Sequence, residues 1–326
     1  MLHNFMLAAR EAGLSMRQYR ESPQAIANAF IQAVETYKYD GVLVELDTAT
    51  LAGAVGVPID FPEDLPARCC APRLKSLDEV WRLEHCDISA YRGVQVWLEA
   101  TRLLCKYFGD EIWIRGNCDQ SPFSLACAMR GIEEWMTDLT DQGSRQAVEC
   151  LLNYCTGITS QFVELMAATG AHMISNGDSL AGPELIRPEF YRTFALPWEK
   201  IVVDLAHQRG LPYMLHICGK TDRILGDMAA TGADALELDH RTNLSLAHAT
   251  LRDRCVFVGN LDPSGVLCLG TPLIVEEKTK ELLAVFHDTP RLIVNAGCAI
   301  PATTPRENLR AMVTTAHNSR IEQITV

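Results

Sequence analysis

Residues 212–239 read PYMLHICGKTDRILGDMAATGADALELD. A short apolar run covers residues 212–216, apolar residues then recur at helical spacing over 222–230, and a second apolar run covers 235–239. Short apolar runs of this kind are typical of buried strands, and two such strands joined by a helix form a parallel βαβ unit. This stretch therefore predicts an α/β fold with a parallel sheet.

The same alternation recurs along the whole chain. Apolar runs that end at a polar residue or a cysteine cover residues 41–47, 111–117, 171–178, 212–216, 235–239, 255–260 and 291–298. Helical patterns cover residues 25–39, 189–208, 222–230, 275–286 and 304–317. Seven such strands in a chain of 326 residues predict a (β/α)8 TIM barrel, which we treat as a single domain over residues 1–326.

The pattern does not clearly supply the eighth strand of this barrel. Only residues 2–6 precede the first helical pattern, and they are few for a strand. Either these residues close the barrel weakly, or the first strand is missing or shortened and another element or subunit covers the gap. A doubly wound open sheet is the alternative fold. Such a sheet usually has a glycine-rich loop after its first strand, and residues 46–50 contain no glycine.

The composition argues against several classes of protein. The formal net charge is −12 and no block of Lys or Arg stands out, so nucleic acid is not an expected partner. No run of about 18 apolar residues is present, so we expect no membrane-spanning helix. The twelve cysteines lack the tight spacing of a disulfide framework, and the first residues do not resemble a signal peptide. We therefore predict a cytoplasmic protein whose thiols are mostly reduced.

Polar side chains follow most of the predicted strands at the point where each strand ends. In a barrel, the carboxyl ends of the strands surround one mouth, and active sites form there. Asp and Asn are also common turn formers, so their position alone does not define a site. We predict that Asp47, Asn117 and Asn260 bind the substrate. Asp178 is a predicted catalytic residue.

Three further residues at strand ends have the chemistry of a metal site. His216 and Cys218 end one apolar run, and Cys298 ends another. One imidazole and two thiolates form a soft tridentate site that suits zinc and leaves a fourth position open. Glu237 or Asp239 is predicted to fill that position or to act as an acid or base, and water is the other candidate. The alternative interpretation is a core histidine beside two buried thiols.

Several short segments carry a resemblance to a known family, and their order extends over roughly residues 25 to 317. They are SPFSLA at 121–126 with GIE at 131–133, LHICG at 215–219, GAD at 232–234, GNLDP at 259–263, GTP at 270–272, and GCAIP at 297–301 followed by TPREN at 304–308. The chain resembles the uroporphyrinogen decarboxylase superfamily, and within it the cobamide-dependent methyltransferases. The resemblance implies a (β/α)8 barrel. Members usually have a first strand before the segment that matches residues 3–6, and that strand is missing or shortened here.

The methyltransferase branch of this superfamily holds zinc with a His-x-Cys … Cys set, which maps onto His216, Cys218 and Cys298. The resemblance therefore implies methyl transfer between a small methylated substrate, for example a methoxylated one, or a thiol, and a corrinoid such as cobalamin. The corrinoid would be supplied by a partner protein. Zinc would withdraw charge from the methylated heteroatom or hold a substrate thiol as thiolate. A small molecule and a corrinoid protein are thus the predicted partners, and the chain could also pair as a homodimer.

Two other functions stay open at this point. A metal-free decarboxylase acting on a tetrapyrrole or another aromatic acid would depend on an aspartate such as Asp47 or Asp178. A non-catalytic zinc-binding or scaffold protein would have a filled fourth position and no open pocket. A chelator distinguishes the three functions, because it should abolish methyl transfer, spare decarboxylation and unfold a structural zinc protein.

Overall fold

The computed structural model describes residues 1–324, with side chains up to residue 319. Its strands are β1 (Gly41–Val44), β2 (Ile59–Asp60), β3 (Arg68–Cys69), β4 (Trp113–Gln120), β5 (Met173–Gly177), β6 (Tyr213–Ile217), β7 (Ala235–Leu238), β8 (Val256–Leu261) and β9 (Leu292–Ala296). β2 and β3 form a small antiparallel pair, and the other strands form one parallel sheet in chain order. Each of the seven apolar runs in the sequence corresponds to one strand of this sheet, which confirms the predicted α/β fold.

Helices follow the strands and cover the outer face of the sheet. They are α1 (Phe5–Glu11), α2 (Met16–Glu21), α3 (Pro23–Tyr37), α4 (Thr50–Ala54), α5 (Arg92–Phe108), α6 (Pro122–Arg130), α7 (Ile132–Asp138), α8 (Arg145–Ala167), α9 (Pro188–Phe190), α10 (Leu196–Gln208), α11 (Leu225–Ala229), α12 (Leu244–Leu251), α13 (Pro272–Val285) and α14 (Arg306–Ile324). Within residues 1–324, no helix has the length and apolar character that a bilayer crossing requires.

Local sequence explains where several of these helices begin. The side chain of Ser22 accepts a hydrogen bond from the amide of Ala25, and Pro23 takes the first turn of α3. Thr271 and Pro272 repeat this arrangement at the start of α13. A hydroxyl at the cap satisfies an amide that has no partner within the helix, and proline loses nothing in the first turn because its nitrogen carries no hydrogen.

The barrel closes through a short segment between its two edge strands. Leu2 forms an isolated parallel bridge with Val42 of β1. The amide of His3 donates to Oδ1 of Asn295 on β9 at 3.3 Å, and its carbonyl accepts from the amide of Ile300 at 2.7 Å. Two residues thus connect the two edges of the sheet, and α1 begins soon after them. This confirms a barrel whose first strand is shortened.

Residues on the inner faces of the strands form two layers inside the barrel. The lower layer is apolar and contains Met1, Met173, Met214, Ala235 and Val258. The layer above it is polar. Arg115 donates to Oγ of Ser175 at 2.7 Å and to Oε2 of Glu237 at 2.9 Å, and Asn295 donates to Oε1 of Glu237 at 2.7 Å. These bonds join β4, β5, β7 and β9 across the interior, and they form the floor of the barrel mouth.

Candidate metal centre

His216, Cys218 and Cys298 meet at the carboxyl ends of β6 and β9. Nε2 of His216 lies 3.0 Å from Sγ of Cys218, and that sulfur lies 3.6 Å from Sγ of Cys298. One ligand atom from each residue lies within 4.8 Å of the others. Within the described part of the chain, it is the one group of three or more His, Cys, Asp or Glu side chains whose ligand atoms lie close enough together to bind one metal ion.

The hydrogen bonds of His216 orient its ring for metal binding. Nδ1 lies 3.0 Å from the carbonyl oxygen of Glu237. A carbonyl oxygen only accepts, so Nδ1 must carry the hydrogen, and Nε2 is the nitrogen that faces the sulfurs. Metal-binding histidines usually have a partner of this kind on the second ring nitrogen, which fixes the tautomer and the ring orientation. The residues present therefore fit a zinc ion.

The electrostatics of the two thiols also favour a cation. Hydrogen bonding with Cys298 and the nearby imidazole of His216 lower the pKa of Cys218 to about 3, although burial opposes this shift. The same hydrogen bond raises the pKa of Cys298, so the two sulfurs share one proton. Burial would lower the pKa of His216, but the adjacent Cys218 raises it to about 10. A thiolate is thus stable at this point of the barrel, and zinc binds thiolates.

Glu237 lies under the imidazole, on the side away from the sulfurs. Its Oε2 is 3.5 Å from Nδ1 of His216, and both carboxylate oxygens accept bonds from Arg115 and Asn295. Burial would raise the pKa of Glu237, but Arg115, His216 and His3 together lower it to about 2. The carboxylate is therefore ionised and fully engaged. These contacts favour a role for Glu237 in orienting His216, rather than its predicted role as the fourth metal ligand or as an acid.

Asp239 anchors the loops beside the metal centre. Its Oδ2 accepts from the amide of Gly219 at 2.9 Å, and its Oδ1 accepts from the amide of Arg241 at 2.9 Å. Burial would raise the pKa of Asp239, but these hydrogen bonds hold it below its usual value. Asn260, a predicted substrate ligand, donates its Nδ2 to the carbonyl of Asp239 at 3.2 Å. Both residues thus join the ends of neighbouring strands.

Glycines adjoin two of the three candidate ligands. Gly219 follows Cys218 and has a φ of 86°, a conformation that favours glycine. Gly297 precedes Cys298, and a Cβ added there would lie 2.4 Å from the backbone nitrogen of His240. Gly219 is therefore required for its backbone conformation, whereas Gly297 is required for space.

We expect Gly297→Ala to weaken zinc binding by at least about tenfold, as changes next to metal ligands commonly do. The added methyl group would meet backbone atoms, so the loop that carries Cys298 would have to move away from β7. A competition titration with a chromophoric chelator measures the affinity. Gly226→Ala is the matched control, because a Cβ at that position meets nothing within 4 Å. Equal zinc affinity in the two variants would contradict this explanation.

Asp47 and Asn117 lie on the other side of the mouth, at β1 and β4. Oδ1 of Asp47 accepts from the amide of Ala49 and the hydroxyl of Thr50, both at 2.9 Å, at the start of α4. Burial raises the pKa of Asp47. Asn117 shares the inner face of β4 with Arg115, and its Oδ1 has no hydrogen-bond partner among the described residues. Asp47 is thus already bonded within the fold, and Asn117 has an unused acceptor.

Asp178, the predicted catalytic residue, faces the helix layer. Its Oδ1 accepts from the amide of Ser124 on α6 at 2.8 Å and from the hydroxyl of Ser124 at 2.5 Å. Burial raises the pKa of Asp178 to about 6. Burial and the Asp178 charge also raise the pKa of Glu199 on α10, which accepts from the hydroxyl of Tyr191. The carboxylate of Asp178 is thus grouped with Ser124 and Glu199, while the amide of Asp178 donates to the carbonyl of His216 at 2.8 Å.

The strand-end pattern missed several buried polar residues of the mouth. Nε2 of His3 lies 2.6 Å from Oε2 of Glu45, and the His3 ring centre lies 6.3 Å from that of His216. Oδ2 of Asp119 accepts from the amide of Leu51 at 2.7 Å. Strand alternation gives no reliable signal for these residues, because Glu45 follows the end of β1, and Asp119 lies at an irregularity of β4 with a φ of 60°.

The sequence of this chain matches the model of one protein family. The model described as uroporphyrinogen decarboxylase (URO-D) matches residues 4–319. The chain belongs to the uroporphyrinogen decarboxylase family. The resemblance identified in the sequence is thus confirmed.

Individual relatives within this family differ in their reactions. The methylcobamide:CoM methyltransferase MtbA of Methanosarcina mazei is 33% identical over 247 residues, which cover 76% of this chain and 70% of that protein. A uroporphyrinogen decarboxylase of Coxiella burnetii is 24% identical over 334 residues, covering 96% and 90%. A methyltransferase structure from Methanosarcina mazei matches with a TM-score of 0.87 and 21% identity, covering 97% and 91%. That structure supports the fold, and the named family members are enzymes of two kinds.

Proposed function

We propose that this protein is a zinc-dependent methyltransferase. It moves a methyl group between a small methylated or thiol substrate and a corrinoid that a partner protein carries. The main support for this proposal is that one imidazole nitrogen and two sulfurs lie within 4.8 Å of one another. The methyltransferase relative at 33% identity, named for a methylcobamide reaction, supports the same class of chemistry.

His216, Cys218 and Cys298 would hold the zinc ion through Nε2 and the two sulfurs, and the substrate would take the fourth position. Zinc bound there lowers the pKa of a coordinated thiol, or withdraws charge from a methylated oxygen or nitrogen. The protein contributes orientation. The carbonyl of Glu237 holds the hydrogen of Nδ1, and the carboxylate of Asp239 holds the loop that carries Cys218.

The charge balance of the centre suits a substrate thiolate. Two cysteine thiolates would offset the charge of a divalent ion held by these residues, so a substrate thiolate there would keep much of its nucleophilic character. Arg115 balances much of the negative charge of Glu237, because its guanidinium lies 2.9 Å from Oε2 of that carboxylate. Glu237 is therefore a positioning residue in this proposal.

The test is methyl transfer by the purified, zinc-loaded protein. One arm supplies cob(I)alamin with methoxyarenes, methylamines or methanol, and the other supplies methylcobalamin with small thiols. The visible spectrum of the cobalamin reports the transfer. We expect activity in at least one arm, loss of activity after the zinc is removed with a chelator, and recovery when zinc is restored. Full activity of the zinc-free protein would contradict the proposal, and decarboxylation of a tetrapyrrole acid by that protein would support the alternative.

A further inference from the structure

Three buried polar side chains lie at the carboxyl ends of β1 and β4. We name Glu45, Asn117 and Asp119 the acceptor wall. Each of these residues is at most 7% exposed. His3 connects the wall to the centre, because its Nε2 lies 2.6 Å from Oε2 of Glu45 and its ring lies 6.3 Å from the ring of His216. His3 therefore lies between Glu45 of the wall and the imidazole of the centre.

Two oxygen atoms of this wall are buried without a partner. Oδ1 of Asn117 and Oδ1 of Asp119 have no hydrogen-bond partner among the described residues. The other oxygen of Asp119 accepts from the amide of Leu51, and the side chain of Gln120 also hydrogen-bonds to this carboxyl group. A buried acceptor without a donor is unfavourable, so its presence in a mouth indicates a ligand that supplies the donor. An oxygen acceptor selects a ligand with N–H or O–H groups.

The charges around the wall select the same kind of ligand. Burial and the nearby Asp47 raise the pKa of Asp119, so a negative charge there is poorly compensated within the fold. The neighbouring arginines have other hydrogen-bond partners, and the charge of Arg20 lowers the pKa of Asp47 only against the larger effect of burial. Arg115 binds Glu237, and the guanidinium of Arg20 donates to backbone carbonyls that include that of Pro62 at 2.8 Å. A cationic group would therefore be stabilised at the wall, whereas a carboxylate or sulfonate would be repelled.

We propose that the acceptor wall is a substrate subsite for a positively charged hydrogen-bond donor, of which an ammonium group is the simplest. The same molecule presents its thiol or methylated heteroatom to the metal centre. This inference rests on the proposed function and narrows its substrate class to amine-bearing molecules, in preference to carboxylates and sulfonates.

The test compares thiols that differ only in their second group. Zinc-loaded protein is titrated in a calorimeter with thiols of two and three carbons that end in an ammonium, a hydroxyl or a sulfonate. We expect the ammonium compounds to bind most tightly and the sulfonates least. Asp119→Asn keeps an acceptor for the amide of Leu51 but removes the charge. It should reduce the ratio of ammonium to hydroxyl affinity by about tenfold.

Two further variants make the result decisive. Asp141→Asn removes the charge of another capping aspartate, one that is exposed and bonded to Gly143 and Ser144, and should leave the ratio unchanged. Asn117→Leu removes the second free acceptor and should weaken binding of the ammonium and hydroxyl compounds alike, so it tests the wall even if the Asp119 variant misfolds. Equal affinities for all end groups, or an Asn117→Leu protein that binds both compounds as tightly as the wild type, would overturn the inference alone. No thiol binding at all would overturn the open metal position as well.

Discussion

Cys298→Ser should abolish zinc retention and lower the rate of methyl transfer by at least about a hundredfold. Cys298 supplies one of the two sulfurs, and a serine hydroxyl is a far weaker zinc ligand at neutral pH than a thiolate. Elemental analysis after dialysis against a weak chelator gives the zinc content per chain. Transfer to or from free cobalamin gives the rate, because it needs no partner protein.

A second cysteine variant tests whether the loss of zinc and activity is specific to Cys298 or follows from the removal of any thiol. Cys268→Ser changes a partly buried thiol that lies 3.3 Å from Oγ1 of Thr303 and belongs to no candidate metal group. It should retain both zinc and activity. A Cys298→Ser protein that transfers methyl groups at the wild-type rate without zinc would show that the sulfur has no catalytic importance.

Arg115→Met should destabilise the protein by roughly 3–5 kcal/mol, the usual cost of leaving one partner of a buried ion pair without the other. Arg115 is 2% exposed and Glu237 is fully buried, so water cannot replace the lost charge. Urea-induced unfolding measures the lost free energy of unfolding, provided that its dependence on urea concentration is the same for both proteins. Because Glu237 also supports His216, we expect weaker zinc binding in the same variant.

Two comparisons test the origin of that loss. Arg192→Met breaks an ion pair with Asp227 in which the arginine is half exposed, and should change stability little. Adding Glu237→Leu to Arg115→Met should restore much of the stability, since the unpaired charge is then absent. If Arg115→Met unfolded at the wild-type urea concentration, the polar floor would not stabilise the barrel.

The parallel sheet could be predicted because strands buried on both faces are nearly continuous apolar runs. Residues 255–260 and 291–298, for example, became β8 and β9. The closure of the barrel could not be predicted in the same way. It depends on one bridge from Leu2 and two hydrogen bonds of His3, and two residues are too few to show any periodicity.

The metal-ligand candidates could be predicted from their chemistry, since an imidazole and thiols at strand ends are rare compared with Asp and Asn. The role of Glu237 could not, because it depends on Arg115, which is 122 residues away in the chain. The position of Asp178 shows the limit of the strand-end pattern. The side chain of a residue just after a strand can bond to a neighbouring helix, and the carboxylate of Asp178 accepts from Ser124 on α6.

X-ray absorption at the zinc edge of the purified protein is the most direct test of the proposed centre. We expect one zinc ion per chain with two sulfur ligands at about 2.3 Å and one imidazole nitrogen at about 2.0 Å. A third sulfur should appear when a small thiol is added. Zinc surrounded only by oxygen and nitrogen, or a fully active protein that contains no zinc, would contradict the assignment of His216, Cys218 and Cys298 as its ligands.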